Sequence, residues 1–202
     1  MDRRELLKMI ALVTGGAVIG GEVFLSGCKN TPDKVAAGVF TAEDITWLDE
    51  VAETILPRTS TPGAKDAKVG QFMTVMVKDC YPEADQNIFR EGMQQLDEAS
   101  EKAYSDSFLK VTPAQRVELL TKLDKESKEY QKKKSENDNE AKKKDKNAKA
   151  SPNHYFTMMK QLTLLGFFSS KEGATQALRY KAVPGEYNGC IDYKKGDKAW
   201  AT

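Results

Sequence analysis

Histidine is nearly missing from this 202-residue chain, where His154 stands alone. One imidazole cannot build a multi-histidine metal site, and no His/Cys/Asp cluster falls at metal-ligand spacing. There is no CxxCH for covalent haem, no GxGxxG or phosphate loop and no GxSxG elbow. A Ser-His-Asp arrangement stays open only because triad members need not be adjacent in sequence. Neither sign of charge prevails: 31 basic side chains face 30 acidic ones. That balance removes the electrostatic footprint of a nucleic-acid binder, so no nucleic-acid partner is expected. Sustained apolar/polar alternation is also lacking, which argues against strands. The expectation is an all-α, compact domain of about five helices with an irregular C-terminal tail.

What is present begins at the first residues. Arg3 and Arg4 lie in DRRELLK, an apolar stretch follows from Met9 to Leu25, and Leu25-Ser26-Gly27-Cys28 closes it. A basic start, a short apolar middle and a small-residue exit form a secretory signal. The run is too short and too rich in glycine (Gly15, Gly16, Gly20, Gly21) for a membrane span. The LSGC ending looks like a bacterial lipobox, in which cleavage leaves Cys28 as a lipid-modified N-terminus. RRELLK also resembles the twin-arginine export pattern, with Leu6 where phenylalanine is usual and Asp2 where serine or threonine is usual. The bland alternative is that Arg3 and Arg4 only supply positive charge for ordinary secretion. Residues 1–27 are thus expected to be a twin-arginine-like lipoprotein signal peptide, 28–40 a lipid tether and 41–202 the domain. The expected location is the periplasmic side of a bacterial cell envelope, held to a membrane by lipid.

With Cys28 assigned to lipid, Cys80 and Cys190 remain as a candidate disulfide in an oxidising setting. Such a bond would close a loop of about 110 residues and stabilise by about 3–5 kcal/mol in the chain-entropy view. Two free thiols are the other outcome. Between Lys122 and Lys149 the chain carries eleven lysines against seven acids, with Tyr130 the one large apolar side chain after Leu123. So little apolar surface cannot offset ordering entropy. The first part can continue the preceding helix on propensity. From about 125 to 150 a charged, flexible, solvated insertion is expected, since its charges are mixed; binding of acidic lipid or a partner by the lysine-rich run is the alternative.

Along the domain, Thr41 and Asp44 are placed as an N-cap and its third-position acid. Ile45, Leu48, Val51, Ala52 and Ile55 recur at helical spacing with Trp47 alongside, and Pro57 stops the run. RTSTPGAKDAK reads as loop, punctuated by Pro62-Gly63. A second helix is expected over Val69–Cys80, with Phe72, Met73, Met76, Val77 and Cys80 inward. A third spans about Ala84–Tyr104, with Ile88, Phe89, Met93, Leu96 and Ala103 inward. Thr112, Pro113 and Gln115 read as N-cap, N1 proline and capping-box glutamine, opening a helix that turns Val117, Leu120 and Leu123 inward. HYFTMMKQLTLLGFF is the most apolar helix of the domain. His154, in its first turn, reads as packed or capping, with a contact near a partner's cofactor as the alternative. The pairs Met73/Met76 and Met158/Met159 read as core. The tail from Gly173 to Thr202 is expected to wrap the helices irregularly.

Two stretches resemble the gluconate 2-dehydrogenase subunit 3 family. One is ETILPRTSTPGAKDAKVGQF; the other runs from YFTMMKQLTLLGFFSSKEG to the YKAVPGEYNGC tail, with the lysine-rich segment outside the likeness. The resemblance implies a non-catalytic small subunit that escorts, stabilises and anchors a large flavin-dependent dehydrogenase of the glucose–methanol–choline type. That partner would oxidise a sugar, sugar acid or glycoside. It would carry FAD, no cofactor would sit in this chain, and a third subunit with cytochrome c haem could accept the electrons. Pro57, Thr61, Pro62 and Gly63 could then present a rigid loop to the partner, or simply turn the chain. Pro184-Gly185 and Tyr187 to Cys190 are a second candidate contact. Two rival readings differ in class. One is a free-standing envelope lipoprotein that binds carbohydrate or protein, using Trp47, Trp200 and tyrosines. The other is an enzyme, such as a hydrolase, built on His154 and dispersed acids.

Overall fold

The structure is a computed structural model that describes residues 40–183 and 185–201. Arg3, Arg4, Cys28 and Pro184 lie outside the described residues. The order is α1 (Ala42–Ile55), α2 (Val69–Cys80), α3 (Glu83–Tyr104), α4 (Pro113–Lys144) and α5 (Tyr155–Ser169), then a π-helical turn at Gly173–Ala177. Among the described residues there is no strand, only an isolated bridge between Arg179 and Trp200. The all-α expectation holds. No described helix is long and apolar enough to cross a membrane.

Local chemistry fixes the helix starts. Thr41 Oγ1 accepts from the Asp44 amide at 3.1 Å while the Asp44 carboxylate accepts from the Thr41 amide at 2.7 Å. Thr112 and Gln115 repeat the exchange at the start of α4, with Pro113 in the first turn. Each reciprocal cap satisfies amides that the helix cannot. At α5 the cap is His154, whose Nδ1 accepts from the Phe156 amide at 3.2 Å. Its ring stacks on Tyr155 at 4.6 Å and meets Tyr130 edge-on.

Helix α5 is the central element: it packs against α1, α2, α3 and α4. Tyr155, Phe156, Met158, Met159, Leu162 and Phe167 are buried along it. They meet Leu48 and Val51 of α1, Met73 and Val77 of α2, Phe89 and Leu96 of α3, and Leu120 and Leu123 of α4 in one core. An apolar helix with little amphipathic asymmetry suits such a position. Gly92 makes the α3 approach possible, since a Cβ there would lie 2.3 Å from the Tyr155 Cβ and Cγ.

Three residues placed inward from the sequence, Cys80, Ala103 and Val117, are exposed. Cys80 and Ala103 fall in the last turns of their helices, where the packed faces end; in α4 Leu119, Leu120 and Leu123 are buried in place of Val117.

The charged segment is also corrected. Helix α4 runs unbroken for 32 residues to Lys144, so much of the stretch read as a flexible insertion is helical. Its Lys, Glu and Ala content favours helix. The pairs Glu118–Lys122, Asp124–Lys128 and Lys134–Asp138 add spacing-matched support, and Asp124 also binds Lys160 of α5 at 2.5 Å. The distal half is tied back to the following chain. Asp138 Oδ1 accepts from the Ser151 amide at 2.9 Å and its hydroxyl at 2.7 Å, and Tyr130 donates to the Pro152 carbonyl at 3.1 Å.

The tail differs as well. It does not wrap the helices: Val183, Tyr187 and Tyr193 are 77%, 92% and 76% exposed. Instead its two ends are clasped. The Arg179 amide donates to the Ala199 carbonyl at 2.8 Å, the Ala201 amide donates to the Arg179 carbonyl at 3.0 Å, and the Arg179 guanidinium lies over the Trp200 ring at 4.7 Å.

Candidate functional site

Between α1 and α2 the chain folds over a set of carboxylates. On α1, Glu53 lies four residues after Asp49 and three after Glu50, which puts all three carboxylates on the side of the helix that the loop crosses. Glu53 accepts from the Arg58 amide at 2.8 Å with one oxygen and from the Lys65 amide at 2.9 Å with the other. Asp66 accepts from the Gly63 amide at 2.8 Å and pairs with the Arg58 guanidinium. Asp49 accepts from the Gly70 amide at 2.7 Å at the start of α2. Glu50 pairs with Lys65 and, at 2.6 Å, with Arg116 of α4. Arg116 in turn donates to the Phe108 and Leu109 carbonyls at 3.0 and 2.6 Å. The loop is thereby tied to α1, α2, α4 and the α3–α4 connection.

The electrostatics follow from these contacts. Burial works to raise the Glu50 pKa, but the Lys65 and Arg116 cations beside it hold it below the ordinary carboxylate value. The Gly63 amide, then the Arg58 guanidinium, hold Asp66 below it too. Burial pushes Asp49 up, against the opposing Gly70 bond. These carboxylates are engaged as acceptors of backbone and cation hydrogens; their role is to hold the loop in one shape.

The residues expected to contact a partner separate accordingly. Pro57 is exposed with Arg58, Thr59 and Ser60, forming the tip. Thr61 and Pro62 are half-buried, and the Thr61 carbonyl accepts from the Thr59 amide at 3.0 Å. Gly63 is buried, and a Cβ there would lie 2.4 Å from both Glu53 oxygens and 2.6 Å from the Arg58 nitrogen. Its lack of a side chain is what lets the loop close here. Tyr187 sits in the tail, where it is exposed. Cys80 and Cys190 are free, exposed thiols, so the structure does not join the candidate pair.

Sequence reasoning missed the cradle because Asp49, Glu50 and Glu53 read as the solvent face of α1. The available signal was their spacing, directly ahead of a loop rich in amide donors. Clefts along α4 are open grooves, one lined by Gln131, Lys134, Ser135 and Asp138, another by Ser127, Gln131, Lys160 and Leu164. Among the described residues no group of three His, Cys, Asp or Glu side chains could hold a metal ion.

A family model described as gluconate 2-dehydrogenase subunit 3 matches residues 42–185. The match takes in α1 to α5, including the lysine-rich part of α4, and stops short of Tyr187. No curated protein and no solved structure matches the chain at a significant level.

Proposed function

From the premise that the chain belongs to the gluconate 2-dehydrogenase subunit 3 family, an accessory subunit of an oxidoreductase complex, we propose how it serves that complex. It escorts, stabilises and membrane-anchors a large flavin-dependent dehydrogenase of the glucose–methanol–choline type that oxidises a sugar, sugar acid or glycoside. The observation that carries this reading is the family match over the whole helical body. The leader supports it: Arg3 and Arg4 suit export of folded cargo, and Cys28 suits lipid attachment on the periplasmic side of the envelope. The surface supports it too. Leu165 and Phe168 of α5, Val75 of α2, and Val183, Tyr187 and Tyr193 of the tail are large apolar or aromatic side chains left in solvent. Exposed groups of this kind suit a subunit that meets another protein. FAD belongs to the large subunit in this reading, and a cytochrome c subunit is the electron acceptor; no chemical step passes through residues of this chain.

The test is a mild-detergent pull-down of the tagged full-length chain from its native envelope, followed by mass spectrometry and a flavin absorbance scan. A co-purifying large subunit with a flavin spectrum is expected. Arg3→Lys with Arg4→Lys should leave that subunit in the cytoplasm, and Cys28→Ser should release the complex from the membrane. A solitary, colourless chain would overturn the proposal and leave the free-standing carbohydrate- or protein-binding lipoprotein in its place.

A further inference from the structure

The lysine-rich segment looks charge-balanced in sequence, but the fold sorts its charges. From Glu118 to Asp138 six acids match six lysines, and three of those acids are in ion pairs: Glu118 with Lys122, Asp124 with Lys128 and Lys160, Asp138 with Lys134. Beyond that point Lys142, Lys143, Lys144, Lys146 and Lys149 are all exposed, and none has an ion-pair partner among the described residues. Two acids accompany them. Glu140 lies one turn back, and Asp145 caps the helix, its carboxylate accepting from the Asn147 amide at 2.9 Å. The turn that carries the last two lysines is ordered by the Ala148 amide donating to the Asp145 carbonyl at 3.0 Å.

The bland account is that lysines complement the negative end of the helix dipole. That end carries only about half an elementary charge, however. Five lysines against two acids leave a surplus several times larger. The surplus is also set apart from the core: the last buried apolar residue of α4 is Leu123. From there to Lys144 the helix rises about 30 Å.

We propose that this lysine tip, the end of α4 and its following turn, docks on an anionic phospholipid surface. A rigid arm ending in clustered, unpaired ammonium groups suits the diffuse negative potential of a headgroup layer, which attracts each lysine near the surface. The contact would add to the anchor at the lipidated Cys28 and orient the helical body on the surface. Choosing lipid over another polyanion rests on the envelope reading above. The test therefore uses unlipidated protein, so that the two can fail separately.

The full chain carrying Cys28→Ser would be mixed with vesicles of phosphatidylcholine alone and of phosphatidylcholine with an equal part of phosphatidylglycerol. Its binding would be compared with that of the same chain in which the five lysines become glutamine. Arg3, Arg4 and Lys8 are common to both chains, so their contribution cancels. The expected result is that the glutamine variant loses about tenfold or more of the binding to anionic vesicles, with an unchanged melting curve. Replacement of the five lysines by arginine should keep binding, and raised salt should abolish it. Equal binding of the parent and the glutamine variant would overturn the proposal. So would a glutamine variant that binds vesicles normally but no longer recovers the large subunit, which would assign the tip to a protein contact.

Discussion

One proton decides whether His154 can cap α5. Its Nδ1 must be unprotonated to accept from the Phe156 amide, and burial holds its pKa below the ordinary 6.5, with Glu126 pulling weakly the other way. Because the folded pKa lies below the unfolded one, the stability this site adds is fully present above pH 6.5. It is lost as pH falls through the depressed folded value. Chemical denaturation at several pH values between 7 and about 5 should show that decline. Asparagine caps helices without titrating, so His154→Asn should flatten the profile in this window even if absolute stability drops with the lost ring contacts. At Gly63 the constraint is steric. The Glu53 oxygens that a Cβ would strike are already fixed by two amides, and the Arg58 nitrogen is backbone. Gly63→Ala should cost about 1–3 kcal/mol, read as a lower urea midpoint with unchanged slope. The caps at Thr41 and Thr112 were legible because both partners lie within four residues of sequence. The Glu53–Gly63 contact was not, because nothing in a helical face pattern tells which acids will meet a loop.

At the scale of elements, α4 shows where sequence patterning runs out. Its first three turns could be read from Leu120 and Leu123, because burial follows helical period. The distal half carries no such period. It is ordered by lysine–acid pairs and by bonds to Ser151 and Pro152, which composition cannot reveal. The Asp138 carboxylate is central to that link, held well below its usual pKa by Lys134 and the Ser151 amide and hydroxyl. Asp138→Ala should speed amide hydrogen exchange over residues 132–144 while leaving the amides of α1 and α5 protected. Uniform loss of protection across the molecule would show instead that the distal half of α4 is part of the cooperative core. Helix α2 was legible over its full Val69–Cys80 span. Its inward face was misread only at Cys80, in the last turn.

For the whole molecule, α5 sets the cooperativity. Met159 is fully buried on the one helix that, among the described residues, touches all the other helices. Met159→Ala should therefore lower global stability by about 2–5 kcal/mol in a single transition followed alike by tryptophan fluorescence and far-UV circular dichroism. The helical class and the high apolar density of this helix were legible in the sequence; its central place was not drawn from it. The placement of the tail was not legible, since an irregular segment with apolar side chains reads the same whether it covers a core or faces solvent. One consequence lies in how that tail is closed. With Arg179 clasped to Ala199, Trp200 and Ala201, the stretch between them is a tethered loop. Val183, Tyr187 and Tyr193 are kept at high effective concentration about a fixed base. A protein that engages one of them meets the others with the loop-closure entropy already lost, so the last few residues can govern an affinity they do not contact.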